Sequence, residues 1–207
     1  QCCGSLHGHN GELETARRLA RANLEAFDLD SLDAIIVNSA GCGSFMNHYD
    51  RLLADDDAHR DRAAKGSALV KDVSEFLVNA GFRKPSGRAP EKIRATYHDA
   101  CHLCHGQKIR QQPREILQSI PGLELVELAE SDWCCGSAGV YNITHPEMAM
   151  KLLDRKMQNI AATGATIVAS GNPGCTIQLR HGAIRYGPRL SVEHPVTLLA
   201  KAYRMET

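Results

Sequence analysis

The sequence predicts an α/β protein of two tandem cysteine-bearing repeats, each with a small parallel sheet. Three observations predict it. The cysteines form one pattern written twice: Cys2-Cys3-Gly4-Ser5 with Gly41-Cys42, and Cys134-Cys135-Gly136-Ser137 with Gly174-Cys175. The hydrophobic pattern between these landmarks repeats in register. Short apolar runs alternate with amphipathic helical stretches, as βα units require.

In the first copy Ala16, Ala20, Leu24 and Phe27 fall at helical spacing and make one apolar face. Ala149, Leu153, Met157 and Ile160 make the same face in the second copy. Pro146 suits the first turn of that second helix and Gly164 its stop. The runs Ala34-Ile35-Ile36-Val37 and Ile167-Val168-Ala169 read as buried strands. The second copy has more upstream. Ile93, Ala95 and Tyr97 alternate in a strand ending just before Cys101, residues 111 to 119 read as helix, and Leu123, Leu125 and Leu128 mark a strand ending before Cys134. No counterpart of residues 93 to 133 precedes Cys2. The first repeat is therefore expected to be truncated at its N-terminus, and the chain, which starts at Gln1, to be the C-terminal part of a longer protein. From Gly43 to about Pro90 the pattern is mostly helical, with an apolar stripe of Leu69, Val73, Phe76, Leu77 and Ala80 closed by Gly81. Asp55-Asp56-Asp57 reads as a solvated loop or helix start, and Lys84 to Pro90 as a linker. The predicted domains are residues 1–90, the end of the first repeat with a helical extension, and residues 91–207, the second repeat.

Composition excludes several classes. The chain has 207 residues, 43% of them hydrophobic, and 24 basic side chains balance 24 acidic ones. Zero net charge argues against a nucleic-acid partner. No apolar run reaches the ~20 residues of a membrane helix, and no secretion signal opens the sequence. Eight cysteines in a chain of this size and type point to metal ligands or redox thiols rather than a disulfide framework.

Ligands of a parallel α/β sheet bind outside the carboxyl ends of its strands. Cys101, Cys134, Cys135 and Cys175 all follow predicted strands, so four thiols from three loops meet at one sheet edge. Thiolates suit zinc or an iron–sulfur cluster, and four are the usual complement of [4Fe–4S]. Cys2, Cys3 and Cys42 are the first copy's set, one ligand short. Cys101-His102-Leu103-Cys104-His105 also spells the haem-attachment form C-x-x-C-H, and its C-x-x-C a redox motif. His98, His102 and His105 surround Cys101, and His7 and His9 follow the first pair. Local hydrogen bonding accounts for each of them, and a cluster ligand or a proton relay is the minority reading. Three functions fit these residues: electron transfer, a zinc-bound or metal-free docking scaffold, and thiol–disulfide exchange.

The Cys-Cys-Gly blocks, each followed by a reduced C-x-x-C (Ser39-Ala40-Gly41-Cys42 and Asn172-Pro173-Gly174-Cys175), resemble the cysteine-rich CCG domain, normally present twice. Heterodisulfide reductase, which works by thiol–disulfide chemistry, carries this domain with more thiols. Tyr97-His98-Asp99-Ala100-Cys101-His102-Leu103, Ile120-Pro121-Gly122-Leu123 and Cys134-Cys135-Gly136-Ser137-Ala138-Gly139 resemble the iron–sulfur subunit of glycolate oxidase more closely. Lactate-utilisation iron–sulfur proteins share the repeats. The resemblance implies a [4Fe–4S] cluster on Cys101, Cys134, Cys135 and Cys175, with Cys104 a spare thiol. It implies an oxidoreductase subunit without catalytic residues of its own, in a complex that converts glycolate to glyoxylate. Partner subunits would carry FAD, and electrons would pass to a quinone or another acceptor. The implied location is the cytoplasm, with peripheral contact at the inner face of the membrane.

Overall fold

A computed structural model describes residues 1–86, 92–187 and 189–206. The end of the expected linker, residues 87–90, lies outside the described residues. The chain forms two compact units, Gln1–Val73 and Ser74–Thr207.

The first unit opens with helices α1 (Ser5–His9) and α2 (Leu13–Glu25). The expected face of α2 is the buried one: Ala16, Ala20 and Leu24 turn inward. Strand β1 (Ile35–Val37) follows, then α3 (Ala40–Met46), α4 (Tyr49–Leu52) and α5 (Arg60–Leu69). Strand β2 (Val70–Asp72) pairs parallel with β1, Ile35 opposite Val70. Leu24, Leu29, Ile35, Tyr49, Leu53 and Val70 are the large side chains of this core. The stripe from Leu69 to Ala80 is not one helix. The chain leaves α5 at Leu69, runs extended through β2 and re-enters helix as α6 (Val73–Asn79). β2 forms because β1 offers open backbone groups, and that long-range pairing outweighs local helical spacing.

The second unit holds a four-stranded parallel sheet in the order β4-β3-β5-β6, with strands β3 (Ile93–His98), β4 (Leu123–Val126), β5 (Ile167–Ser170) and β6 (Ser191–Glu193). A π-helical turn (His102–Gly106) and α7 (Gln111–Gln118) link β3 to β4. A long loop, the short α8 (Tyr141–Thr144) and α9 (Pro146–Thr163) lead to β5. α10 (Pro173–Tyr186) leads to β6, and α11 (Pro195–Arg204) follows it. α9 packs on α10 and α11 on α7. Pro146 opens α9 and Gly164, in the left-handed region, closes it, as the sequence indicates. Leu153, Met157 and Ile160 of α9 are fully buried, each contributing about 2 kcal/mol of transfer free energy. The strands β3 and β4 run side by side, and the next strand in sequence, β5, lies on the other flank of β3. The order therefore reverses between β3 and β5, and the crevice at their carboxyl ends is where such sheets bind ligands.

Candidate metal centre

Three loops deliver thiols to that crevice. Cys101 comes shortly after His98, the last residue of β3. Cys134 and Cys135 lie within the loop after β4, and Cys175 is the third residue of α10, just after β5. Cys135 is 1% exposed and Cys175 is buried, while Cys101 and Cys134 are half-buried. Ligand atoms of His98, Cys135 and Cys175 lie within 4.8 Å of one another. Cys134 hydrogen-bonds Cys135, and that contact, then burial, holds the Cys134 thiol well above its ordinary pKa. Burial first, and then the neighbouring Cys134 sulfur, push Cys101 up as well. Burial and a neighbouring sulfur thus disfavour the thiolate at Cys101 and Cys134, and a bound cation would reverse that balance.

Backbone and side chains also donate to these sulfurs. The Gly136 N–H reaches Cys134 Sγ at 3.3 Å, and Asn172 Nδ2 reaches Cys175 Sγ at 3.4 Å. Asn172 caps α10 by position but gives no side-chain hydrogen bond to the helix backbone. The first unit repeats the arrangement. Gly4 N–H donates to Cys2 Sγ at 3.4 Å, and Ser39, at the cap of α3, hydrogen-bonds the Cys42 thiol. Cys3 shares its proton with Cys42, which is lowered to about 6, while Cys3 is held up. Cys2 is exposed. Cys3 and Cys42 thus form a thiol pair with Cys2 beside it, and no counterpart of Cys101 stands among the described residues of that unit.

Neighbouring groups fix the loops. Arg114 grips Asp99 at 2.9 and 2.7 Å, reaches Glu127 at 3.0 Å and lies over the Tyr97 ring. Asp99, buried and following His98, is held below the usual carboxylate range by Arg114 against its own burial penalty. Losing one partner of such a buried pair costs about 3–5 kcal/mol. Arg114→Met is expected to lower the unfolding free energy by about that much, read from urea denaturation. The double variant with Asp99→Asn is expected to recover part of the loss, because the orphaned charge is then gone. Lys156 of α9 is also buried, with its ammonium on the carbonyls of Glu130 and Ser131, just upstream of the cysteine pair. Asn23, its counterpart on α2, donates to the Cys2 carbonyl at 2.8 Å.

Cys104 stands apart. Its thiol is buried and turned onto the carbonyls of Asp99 and Cys101 at 3.8 and 3.9 Å, and burial pushes it up to about 11. A haem anchor needs both thiols of C-x-x-C presented outward, so the haem form is coincidental. His102 lies beside Cys101 and His105 beside Arg110. His7 pairs with Glu12, and His9 stacks edge-on against Phe45. Structure selects His98 from the three histidines the sequence places around Cys101, and Lys156 enters the site from structure alone. The sequence signal for His98 is its place three residues before Cys101, where a cluster ligand or proton relay is the minority reading, and for Lys156 there is none.

The donor set fits a thiolate-bound metal group: Cys135 and Cys175 meet with His98, Cys134 adjoins Cys135, N–H donors aim at sulfur, and a buried lysine lies nearby. Paired cysteines at the switch point of a small parallel sheet, with the arrangement repeated in a second unit, define a cysteine-rich α/β thiol-centre protein. The chain belongs to the cysteine-rich CCG domain family, whose model matches residues 1–47 and 95–180. It is 42% identical over 97% of its length to the "Probable glycolate oxidase iron-sulfur subunit" of Bacillus subtilis, covering 46% of that protein. It is 30% identical over 99% of its length to the "Glycolate oxidase iron-sulfur subunit" of Escherichia coli, covering 49%. "Lactate utilization protein A" of Shouchella clausii is 28% identical over 96% of the chain, which covers 82% of that protein. The chain thus spans about half the length of the first two relatives. Among the described residues, no helix is long and apolar enough to cross a membrane.

Proposed function

We propose that the chain is part of an iron–sulfur electron-transfer subunit serving a flavin-dependent 2-hydroxy-acid dehydrogenase, with glycolate as the substrate of the complex. The observation that carries this reading is the buried meeting of Cys135, Cys175 and His98, with Cys134 hydrogen-bonded to Cys135 and Cys101 in the loop after β3. Similarity to the two glycolate oxidase iron–sulfur subunits supports it. Those four thiolates would hold a [4Fe–4S] cluster, which when bound supplies one-electron transfer. The residues of this chain bind and orient it: Gly136 and Asn172 donate to the ligating sulfurs, Lys156 offsets their charge, and the walls around Cys135 and Cys175 keep water out. Hydride chemistry and hydroxy-acid binding belong to flavin-bearing partner subunits. The acceptor is a quinone or another electron carrier, and a quinone would bring the complex to the inner face of the membrane. The fuller coverage of the lactate-utilisation relative favours lactate as the second reading of the substrate.

Anaerobic purification with iron and sulfide assays tests the proposal. The expected result is about four of each per chain, with an EPR signal that dithionite reduction changes. One zinc and no sulfide would overturn electron transfer in favour of a scaffold. In the complete complex, glycolate is expected to reduce the centre faster than lactate does.

A further inference from the structure

We propose that His98 is a further N–H donor to the ligating sulfurs of Cys135 and Cys175, and thereby raises the reduction potential of the centre. This inference rests on the iron–sulfur reading above. His98 is 1% exposed, and neither ring nitrogen has a hydrogen-bond partner among the described residues. A buried imidazole that serves only packing donates to a carbonyl or a carboxylate. His98 instead has the sulfurs of Cys135 and Cys175 within 4.8 Å.

Position adds to this. His98 ends β3 and lies opposite Ser170, the last residue of β5, in the sheet register. The Ser170 hydroxyl is likewise buried without a partner among the described residues. Two orphaned polar groups therefore sit side by side where the strand order reverses, at the mouth of the ligand crevice. They make sense once anionic sulfur occupies it. Four cysteines already fill the four ligand positions of a cluster, so the imidazole is left to donate. A thiolate is a charged acceptor, and a donor to it stabilises the more negative, reduced state. The sulfurs also fix the tautomer, since the nitrogen facing them must carry the proton.

The test is a potentiometric EPR titration of the wild-type chain, His98→Leu and His98→Gln, each assayed for iron and sulfide. His98→Leu is expected to keep its iron and sulfide and to lower the reduced-to-oxidised ratio at fixed poise by about tenfold, a shift of about 59 mV to lower potential for one electron. His98→Gln keeps an N–H donor and is expected to stay within about threefold of wild type. Pulsed EPR of the reduced chain labelled with 15N-histidine is expected to show a weak 15N coupling that His98→Gln lacks, which separates His98 from the Gly136 and Asn172 donors. A loaded His98→Leu chain with the wild-type potential overturns the proposal. So does strong nitrogen coupling, which means direct ligation, or no nitrogen coupling at all. If His98→Leu fails to fold, the loss of the histidine 15N coupling in His98→Gln decides. A wild-type chain without sulfide defeats the iron–sulfur reading, and this inference with it. A loaded chain without the coupling defeats this inference only.

Discussion

Serine in place of Cys135 or Cys175 is expected to cut the iron and sulfide of the anaerobically purified chain by about tenfold or more, while Cys104→Ala leaves both at the wild-type level. The two outcomes follow from where the sulfurs point. Cys135 and Cys175 are buried within 4.8 Å of each other and of His98. Each must give up a proton on metal binding, and the gain from the cation drives that exchange. A serine hydroxyl is a harder donor with a much higher pKa, so it cannot replace thiolate under the same conditions. Cys104 is equally buried, but its sulfur faces two backbone carbonyls of its own turn. Removing it leaves a small void worth about 1 kcal/mol and touches no ligand. Equal metal loss in all three variants would mean that the thiols matter through packing. Unchanged iron in Cys135→Ser would remove that residue from the ligand set.

The contrast between Cys104 and Cys135 marks the limit of what the sequence discloses. Spacing placed both near strand ends, and only packing shows that one sulfur turns into the core while the other faces the crevice. What periodicity encodes was legible: the buried face of α9 between Pro146 and Gly164, the strands before Cys101 and Cys175, and the doubled cysteine pattern. What depends on distant pairing was not. β2 lies within a helical stripe because Val70 finds Ile35 across the sheet, and no local pattern announces that. β6 and α11 carry no cysteine landmark, and the repeat ends before them. Lys156 falls beside the apolar face of α9, where a lysine is expected to reach water. It is buried because two carbonyls of the loop before Cys134 wait for it. His98 becomes informative only through what it lacks, and a missing partner is a property of three dimensions.

Gly136→Ala is expected to destabilise the second unit by on the order of 4 kcal/mol and to take metal binding down with it, whereas Gly4→Ala in the equivalent position of the first copy costs about 1–2 kcal/mol. Both glycines sit in the left-handed region, at φ 91° and 86°, so both variants carry the conformational penalty of an L side chain there. They differ in the space available. A Cβ on Gly136 would lie 2.3 Å from the Ala149 carbonyl oxygen and 3.2 Å from its Cα, against the backbone of α9. A Cβ on Gly4 would meet the Ala16 backbone at 3.3 Å, where a few tenths of an ångström suffice. Ala16 and Ala149 hold the same position on equivalent helices, so one close contact between cysteine loop and helix recurs in both copies, more tightly in the second. That contact aims the Gly136 N–H at Cys134. Moving α9 away to admit a methyl group would pull Lys156 from the loop carbonyls and open the crevice around Cys135. Urea denaturation followed by circular dichroism, alongside iron and sulfide assays, measures both effects. A Gly136→Ala chain as stable as Gly4→Ala, with full iron, would show that α9 yields easily and that the close packing of loop on helix does not hold the thiols in place.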